Sequence, residues 1–497
     1  MTQTASRAER VPGLIAPREL IAGDWSEPAL MTDHHLHDQA TGARTQDGVY
    51  SDHDRVDTAV AAAWDAHLNG PGAFDDRAQR AAVLQLASDY LTDVTQRIAV
   101  QDSLNSGVPI TITRLFAQAL PAVFRSAAAH LRDTEPVDLS EGARPVALHR
   151  LPLGPCAVFA PWNAPTAVAG KKAAYAWGAG CPVIIKPSPW APHGTTLLVE
   201  AMQRAATDLQ LDSSAVQLVF GGAPVGQQLA SDPRIRAISF TGSRQGGRAV
   251  AAASAAGMAA LQMELGSNNP AVVLDDADIT ATAAALASGM TKLNGAWCES
   301  PGTVFVPAKL RESLIGALTA ALETHQFGSP LDEATTYGPQ SNVDQFRGLV
   351  DRTDLLAGAG ARVIHVGNLD AVPASGFWIA PMLVIDPPPD LVRDEFFGPL
   401  LIVRTCETPI EAIQRSHELN TGLAGYVFGE DLAHAMEVGR RLPAGEVKIN
   451  GTSLLDLTDR STQEFWYGSG VGGHGDTRLA RFFTGARIVG LDVDSPL

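Results

Sequence analysis

Short apolar segments bounded by proline and glycine alternate with helical patterns through the middle of the chain. Residues 156–160 and 182–185 are too short for helices and are typical of strands covered on both faces. Residues 195–207 repeat apolar positions at helical spacing, and residues 215–220 return to an apolar strand pattern. Strands that alternate with helices in this way predict a doubly wound α/β fold built on a parallel sheet.

A second alternation of the same kind follows further along the chain. Residues 271–274 and 304–306 are predicted strands, and residues 279–290 and 311–323 are predicted helices. The sequence therefore predicts two α/β units rather than one.

Charge and cysteine usage exclude several classes of protein. The 497 residues contain 37 Lys and Arg against 54 Asp and Glu, and the resulting net charge of −17 disfavours nucleic acid as a partner. Cys156, Cys181, Cys298 and Cys406 form no C-x-x-C pair, so neither a metal site nor a disulfide framework is predicted. Free thiols, a polar N-terminus and the lack of a long apolar run indicate a cytoplasmic protein that does not enter a membrane.

Two segments could bind phosphate or ribose groups. In I-R-A-I-S-F-T-G-S-R-Q-G-G (235–247), an apolar strand runs through Gly242 into a helix that Ser243 can cap. In V-I-I-K-P-S (183–188), Lys186 ends a buried strand, where ligands bind in open α/β sheets. On these residues alone, an ordinary strand–turn–helix joint and a surface lysine explain the two patterns equally well or better.

A literal G-x-G-x-x-G occurs at Gly470, Gly472 and Gly475. The dinucleotide fingerprint requires a strand, a helix and an acidic residue about 20 positions further on. Only 22 residues follow Gly475, without a βαβ pattern, so we interpret this segment as a flexible loop.

Three side chains could carry chemistry. Cys298 lies in N-G-A-W-C-E-S-P-G, Glu264 in M-E-L-G-S-N-N-P and Asn163 in A-P-W-N-A-P. Considered singly, they are more often a buried small hydrophobe, a surface acid and a turn residue.

In combination, these motifs resemble the aldehyde dehydrogenase superfamily. The order and spacing of A-P-W-N-A-P, V-I-I-K-P-S, S-F-T-G-S, M-E-L-G-S-N-N-P, the Cys298 segment and E-F-F-G-P (395–399) match that family. The resemblance extends from L-I-A-G-D-W (20–25) and A-T-G (40–42) through G-E-V-K-I-N (445–450) to F-T-G-A-R near the C-terminus.

The resemblance implies an aldehyde dehydrogenase-like α/β fold. It assigns residues 1–133 and 151–262 to a Rossmann-like cofactor-binding domain and residues 263–470 to an α/β catalytic domain. A β-arm of residues 134–150 and a tail of residues 478–497 are expected to join subunits into a homodimer or homotetramer.

The family chemistry assigns roles to four residues. Cys298 matches the nucleophile, Glu264 the general base and Asn163 the oxyanion donor, and Lys172 matches a lysine close to the base. The expected reaction is the NAD(P)-dependent oxidation of an aldehyde to a carboxylic acid through a cysteine thiohemiacetal and thioester. From an ordinary thiol pKa, we expect a few per cent of Cys298 to be ionised at neutral pH.

The cofactor is expected to be NAD, bound by residues that match the family. These are Trp162, Lys186, Ser188, Gly242, Ser243, Glu395 and Phe397. Pro189 stands where NAD-selective members often place a ribose-binding carboxylate, so NADP is an alternative cofactor.

The substrate pocket departs from the family pattern. Ala296 and Thr303 replace a Gln and an Arg, Gly473 and His474 replace an Arg-Glu pair, and residues 462–467 replace a Gly-rich stretch. Residues expected at the pocket are Lys171, Trp297, Glu299 and Phe465. Their charges suggest a polar or amine-bearing small-molecule aldehyde.

Two other functions compete with this prediction. A CoA-acylating dehydrogenase would resolve the thioester with a thiol, although such members generally lack the acid that matches Glu264. A catalytically inactive binding or structural paralogue would tolerate the altered loops but has no need of Cys298, Glu264 and Asn163 together.

Overall fold

The computed structural model describes residues 13–69, 76–140, 144–367, 369–458 and 460–492. The polar N-terminus up to residue 12, residues 141–143 of the predicted arm and residues 493–497 of the predicted tail lie outside this description. In the described ranges, no helix has the length and apolar character needed to span a membrane.

The first half of the chain forms a mixed α/β unit. Its elements are β1 (Glu19–Ile21), β2 (Asp24–Ser26), β3 (Ala29–His37), β4 (Arg44–Tyr50), α1 (His53–Asn69), α2 (Arg77–Ser106), α3 (Ile110–Ala129), β5 (Val137–Asp138), β6 (Val146–Pro152), β7 (Cys156–Phe159), α4 (Pro165–Gly178), β8 (Val183–Lys186), α5 (Gly194–Asp208), β9 (Val216–Leu218), α6 (Ala223–Ser231), β10 (Ala237–Gly242), α7 (Arg244–Ser254) and β11 (Ala260–Leu265).

A second α/β unit and a C-terminal segment follow. The second unit contains β12 (Asn269–Val273), α8 (Ile279–Thr291), β13 (Pro301–Pro307), α9 (Ala308–Leu322), α10 (Val343–Gly358), β14 (Arg362–His365), β15 (Met382–Ile385), β16 (Leu400–Cys406), α11 (Pro409–Ser416), β17 (Ala424–Phe428), α12 (Leu432–Gly439) and β18 (Glu446–Ile449). The segment contains β19 (Gln463–Glu464), β20 (Gly470–Val471), β21 (Gly473–His474), α13 (Asp476–Phe482) and β22 (Thr484–Gly490).

The first sheet has the order β2-β1-β9-β8-β7-β10-β11-β20. Its five central strands are parallel, and every residue of β7 and β8 is buried, because helices cover both faces. The carboxyl ends of these strands therefore meet at one edge, where Thr241 is the register partner of Glu264. This is the edge at which open α/β sheets bind ligands.

The second sheet has the order β14-β15-β16-β13-β12-β17-β18 and is parallel except for β14. Its strands are rich in Val, Ile and Leu, and residues such as Val304 and Leu401 are fully buried. The two parallel sheets confirm the predicted α/β class.

The predicted domain boundaries can be compared with the strands of the structure at two places. Strand β11 runs through the predicted boundary at 262/263, so Glu264 lies at the end of a strand of the first sheet rather than in the second unit. In the predicted arm and tail, β22 pairs antiparallel with β6, which pairs with β5.

The G-x-G-x-x-G segment is more ordered than the flexible loop that we predicted. Gly470 and Val471 pair with β11, and Gly473 and His474 pair with β19. All three motif glycines have positive φ, from 85° to 133°, so glycine permits the tight path between the two short strands.

Candidate active site

A run of left-handed residues carries Cys298 into the site. Leu293, Asn294 and Gly295 follow α8 with φ values of 53°, 58° and 86°. A Cβ on Gly295 would lie 2.1 Å from the Pro399 nitrogen, so only glycine fits there. The buried Asn294 amide holds the turn by donating to the carbonyls of Gly107 (2.8 Å) and Pro339 (2.9 Å).

Asn269 fixes the other side of the nucleophile. Its side-chain Nδ2 donates to the carbonyl oxygens of Cys298 (2.9 Å) and Ser300 (2.8 Å), and its Oδ1 accepts from the Ala424 N–H (3.0 Å). Asn269 is fully buried, so these bonds are shielded from water. Cys298 is thus held in a fixed backbone geometry with its thiol half-buried at the cavity wall.

The thiol faces a carboxylate. Cys298 Sγ lies 3.3 Å from Glu264 Oε1 and donates to it. The other oxygen, Oε2, accepts from Thr241 Oγ1 at 3.3 Å, and Lys172 Nζ donates to that hydroxyl. The structure therefore brings together three of the four predicted catalytic residues through Thr241, a residue of the S-F-T-G-S motif to which the sequence pattern assigns no catalytic role.

Local charges set the protonation of this pair. Burial, reinforced by the carboxylates of Glu264 and Glu299, raises the pKa of Cys298 well above its ordinary value. Burial alone would raise the pKa of Glu264, but His474 and Lys172, together with hydrogen bonds from Cys298 and Thr241, outweigh burial and lower the net pKa. The resting state is a protonated thiol beside an ionised carboxylate, so the expected few per cent of thiolate is an overestimate.

The pKa of Lys172 also differs from its ordinary value. Burial lowers its pKa to about 8, although the Glu264 and Cys298 side chains oppose that effect. The ammonium is therefore close to losing its proton at slightly alkaline pH.

Asn163 completes the predicted catalytic set. It lies in the turn between β7 and α4, which begins at Pro165. Its Nδ2 donates to the Ala296 carbonyl at 2.8 Å, two residues before the nucleophile. An amide nitrogen carries two hydrogens, so one N–H remains for an oxygen bound in the cavity.

The predicted cofactor residues lie along the same cavity. Ser243 caps α7 by accepting from the Gly246 N–H at 3.1 Å, as expected, which leaves other first-turn N–H groups free for an anion. Buried Lys186 donates to the carbonyls of Gly221 (2.7 Å) and Pro187 (3.0 Å), and burial lowers its pKa to about 8.

Three further cofactor candidates lie nearer the nucleophile. The rings of Trp162 and Phe397 are 5.3 Å apart and nearly perpendicular. Burial raises the pKa of Glu395 to about 7, opposed by a Ser267 backbone bond and by Arg244 and Arg352. Both aromatic rings and the Glu395 carboxyl line the cavity with Ser188 and Gly242.

The cavity has a volume of about 1300 Å³ and reaches from Lys186 to Cys298. Pockets for drug-sized ligands typically occupy roughly 300–1,000 Å³. The space, the capped helix α7 and the buried Glu395 therefore fit a dinucleotide together with a substrate.

The substrate end is mainly apolar. Its apolar lining residues are Phe116, Leu120, Val123, Val168, Leu293, Trp297, Leu454, Leu455 and Leu479, and Asp456 lines the cavity next to Leu455. Lys171 also lines it, and its Nζ lies 3.7 Å from Asp476 Oδ1.

Two predicted pocket residues lie elsewhere. Among the described residues, the cavity wall includes neither Glu299 nor Phe465. Glu299 is buried against Lys448, and Phe465 packs edge-on against His474 with 5.5 Å between ring centroids. His474 itself lines the cavity. The sequence departs from the family pattern at this position, but that departure alone does not identify His474 as a residue of the cavity wall.

Comparison with known proteins decides the family. Residues 25–489 match the family model described as the aldehyde dehydrogenase family. The chain belongs to the aldehyde dehydrogenase family. The predicted family, fold and reaction class are confirmed, and this is an enzyme that oxidises aldehydes with NAD(P).

Curated relatives within the family differ in their substrates. The chain is 30% identical over 437 residues to the geranial dehydrogenase of Castellaniella defragrans, covering 87% of this chain and 90% of that protein. It is 32% identical over 386 residues to a betaine aldehyde dehydrogenase of Cereibacter sphaeroides, covering 76% and 78%.

Solved structures share the fold over almost the full length. An NAD-dependent aldehyde dehydrogenase from Sinorhizobium meliloti has a TM-score of 0.88 at 25% identity and covers 98% of this chain and 99% of its own. A mutant aldehyde dehydrogenase C from Pseudomonas syringae, in complex with NAD+ and octanal, has a TM-score of 0.87 at 26% identity, with coverages of 97% and 98%.

Proposed function

We propose that Cys298 attacks the aldehyde and that Glu264 serves as the base in both halves of the reaction. The observation that carries this proposal is the 3.3 Å contact between Cys298 Sγ and Glu264 Oε1 inside the cavity. Because the thiol is protonated and the carboxylate is not, attack begins with transfer of the thiol proton to Glu264.

The sulfur then forms a bond to the carbonyl carbon, and the carbonyl oxygen becomes an oxyanion. The free N–H of Asn163 and the Cys298 backbone N–H stabilise that charge. NAD(P), when bound, accepts the hydride that leaves the same carbon, which leaves a thioester on Cys298.

Glu264 acts again in the second half of the reaction. Once it has released the thiol proton to solvent, it takes a proton from water, the resulting hydroxide adds to the thioester carbon, and the carboxylic acid leaves as the sulfur regains this second proton. Lys172 and Thr241 hold the carboxylate in place and favour its ionised form. A base at this position supports hydrolysis rather than transfer to CoA.

The pocket favours an apolar aldehyde over the polar or amine-bearing one that the sequence suggested. Its substrate end is built mainly from Leu, Val, Phe and Trp side chains, with Lys171, which pairs with Asp476, and Asp456 as charged residues of the same wall. A quaternary ammonium group is recognised by an aromatic cage, whereas most side chains at this end are aliphatic and the Lys171 ammonium repels such a group. The geranial dehydrogenase relative and the octanal-bound neighbour are consistent with this choice.

NAD is the proposed cofactor, and NADP should also be accepted. Pro189 lines the cavity beside Ser188 and Lys186, and it offers no carboxylate to bind ribose hydroxyls or to repel a 2′-phosphate. Selectivity for NAD should therefore be weak.

We further infer a cytoplasmic homodimer or homotetramer. Ile488, Val489 and Val137 are exposed on the three-stranded sheet β22-β6-β5. An edge strand with apolar side chains is suited to pairing with another subunit. All four cysteines are free, which fits a reducing compartment.

One panel tests the proposed reaction and substrate together. Octanal, geranial and betaine aldehyde are each assayed with NAD and with NADP, with and without CoA. We expect acid formation from the first two aldehydes, little from betaine aldehyde and no acyl-CoA. A preference for betaine aldehyde would refute the apolar pocket, and acyl-CoA formation would refute hydrolysis by Glu264.

A further inference from the structure

A cluster of buried charges lies behind the cavity wall. Lys448, on β18, has a side chain only 4% exposed, and its Nζ lies 3.3 Å from Glu446 Oε2 and 3.7 Å from Glu299 Oε2. Buried charges of this kind persist only when they are paired. The proposed reaction uses none of these three groups, so their presence needs another explanation.

The remaining contacts of Lys448 lead to the entrance of the cavity. Its ammonium donates to the carbonyl oxygens of Ser453 (2.8 Å) and Leu455 (3.3 Å). Ser453 and Leu455 both lie in the segment 451–458, which we call the mouth loop. Leu454 and Leu455 line the cavity, and Leu455 is 76% exposed, which places it at the rim.

A second lysine holds the same loop from the other side. Lys292 Nζ donates to the Thr452 carbonyl and lies 3.3 Å from Thr452 Oγ1. The same ammonium sits 4.9 Å from the centre of the Trp297 ring, one residue before the nucleophile. Leu454 packs against the cluster that contains Trp297.

The charge cluster is also joined to the nucleophile loop. Glu299 directly follows Cys298, and its carbonyl accepts from the Tyr426 hydroxyl. Since Lys448 contacts both Glu299 and the mouth loop, it connects the residue beside the nucleophile to the rim of the pocket.

We propose that Lys448 is a specificity-determining positioning residue, which holds the mouth loop so that Leu454 and Leu455 form the outer wall for long apolar aldehydes. The inference rests on the proposed apolar substrate class. A short aldehyde reaches Cys298 without touching the outer wall, whereas a long one contacts it. Each methylene that loses an apolar contact weakens binding roughly fourfold, so loosening the loop should penalise long chains selectively.

The test compares propanal with octanal at saturating cofactor. In Lys448→Met we expect the ratio of kcat/KM for octanal to that for propanal to fall about tenfold, mainly through KM for octanal. Propanal turnover should change less than threefold, and Lys448→Arg should restore part of the ratio because it retains charge and donors. Lys309→Met is the matched control, since Lys309 pairs with Asp275 and is not part of the described cavity wall.

An unchanged ratio, or an equal loss for both aldehydes, would overturn the role of Lys448. If Lys448→Met does not fold because two carboxylates lose their partner, Lys292→Met releases the mouth loop while both ion pairs remain. That variant should lower the ratio in the same direction, and an unaltered ratio there also overturns the proposal. A wild-type enzyme that shows no preference for octanal over propanal would instead refute the proposed substrate class.

Discussion

Replacement of Asn163 by alanine is the most direct test of the oxyanion site. The side chain makes one structural hydrogen bond, to the Ala296 carbonyl at 2.8 Å, and has one further N–H to offer. Loss of the structural bond should reduce the free energy of unfolding by about 1 kcal/mol. Loss of an oxyanion donor should raise the activation barrier by roughly 2.7–4 kcal/mol.

These two magnitudes separate a catalytic role from a structural one. At about 1.36 kcal/mol per tenfold change in rate, the barrier term corresponds to a hundredfold to roughly a thousandfold loss in the rate of NADH formation. The melting temperature should fall only slightly. Pre-steady-state absorbance of NADH measures the first effect, and thermal unfolding measures the second.

Two controls complete the design. The alkylation rate of Cys298 by iodoacetamide should stay within about threefold of the wild type, since the Cys298–Glu264 contact is retained. Asn163→Asp has the same shape but no N–H donor and places a carboxylate beside the oxyanion, so it should lose at least as much activity. A rate of NADH formation within threefold of the wild type in either variant would refute the assigned role.

Three further predictions follow from the site and its surroundings. In Glu264→Gln, loss of the carboxylate should lower the pKa of Cys298 and move its alkylation profile to lower pH, and turnover should fall about 10²- to 10⁴-fold. The lower thiol pKa partly offsets the lost base in the attack, but nothing offsets it in hydrolysis, so mass spectrometry should find acyl-enzyme. An upward shift of the alkylation profile would contradict the charge assignment. Burial raises the pKa of Asp102 to about 7, so the folded chain retains a proton that the unfolded chain loses near pH 4, and stability falls between about pH 4 and 7. Asp102→Asn should therefore raise the melting temperature at pH 8 and not at pH 4, as differential scanning calorimetry would show. Pro189→Glu should lower kcat/KM for NADP at least tenfold relative to NAD, because the new carboxylate repels the 2′-phosphate, and an unchanged ratio would place the ribose elsewhere.

Local pattern predicted the parts of the site that depend on one segment. The Ser243 cap follows from a serine between a strand and a helix, and the positions of Lys186 and Glu264 follow from the ends of apolar strands. The resemblance to family motifs identified Cys298 and Asn163. Their proximity, shown by the bond from Asn163 to the Ala296 carbonyl, depends on how the first and second α/β units pack together.

Contacts between distant segments could not be predicted in the same way. Asn269 was visible in the M-E-L-G-S-N-N-P motif, but its bonds to Cys298 and Ser300 depend on the register of β12 and β13. Glu299 was assigned to the pocket because it follows the nucleophile, yet its side chain turns towards Lys448, about 150 residues away. A charged residue in the strand motif G-E-V-K-I-N was the available signal, since a buried strand lysine needs a partner.

The nucleophile and its base belong to different sheets. Glu264 projects from β11 of the first sheet, while Cys298 sits on the loop that leads into β13 of the second. Their 3.3 Å contact therefore exists only while the two halves of the molecule keep their mutual alignment. A small rotation of one half would separate the Cys298 sulfur from the Glu264 carboxylate, and it would therefore slow both the attack on the aldehyde and the hydrolysis of the thioester. Agents that shift this alignment should consequently inhibit the enzyme without ever entering the pocket.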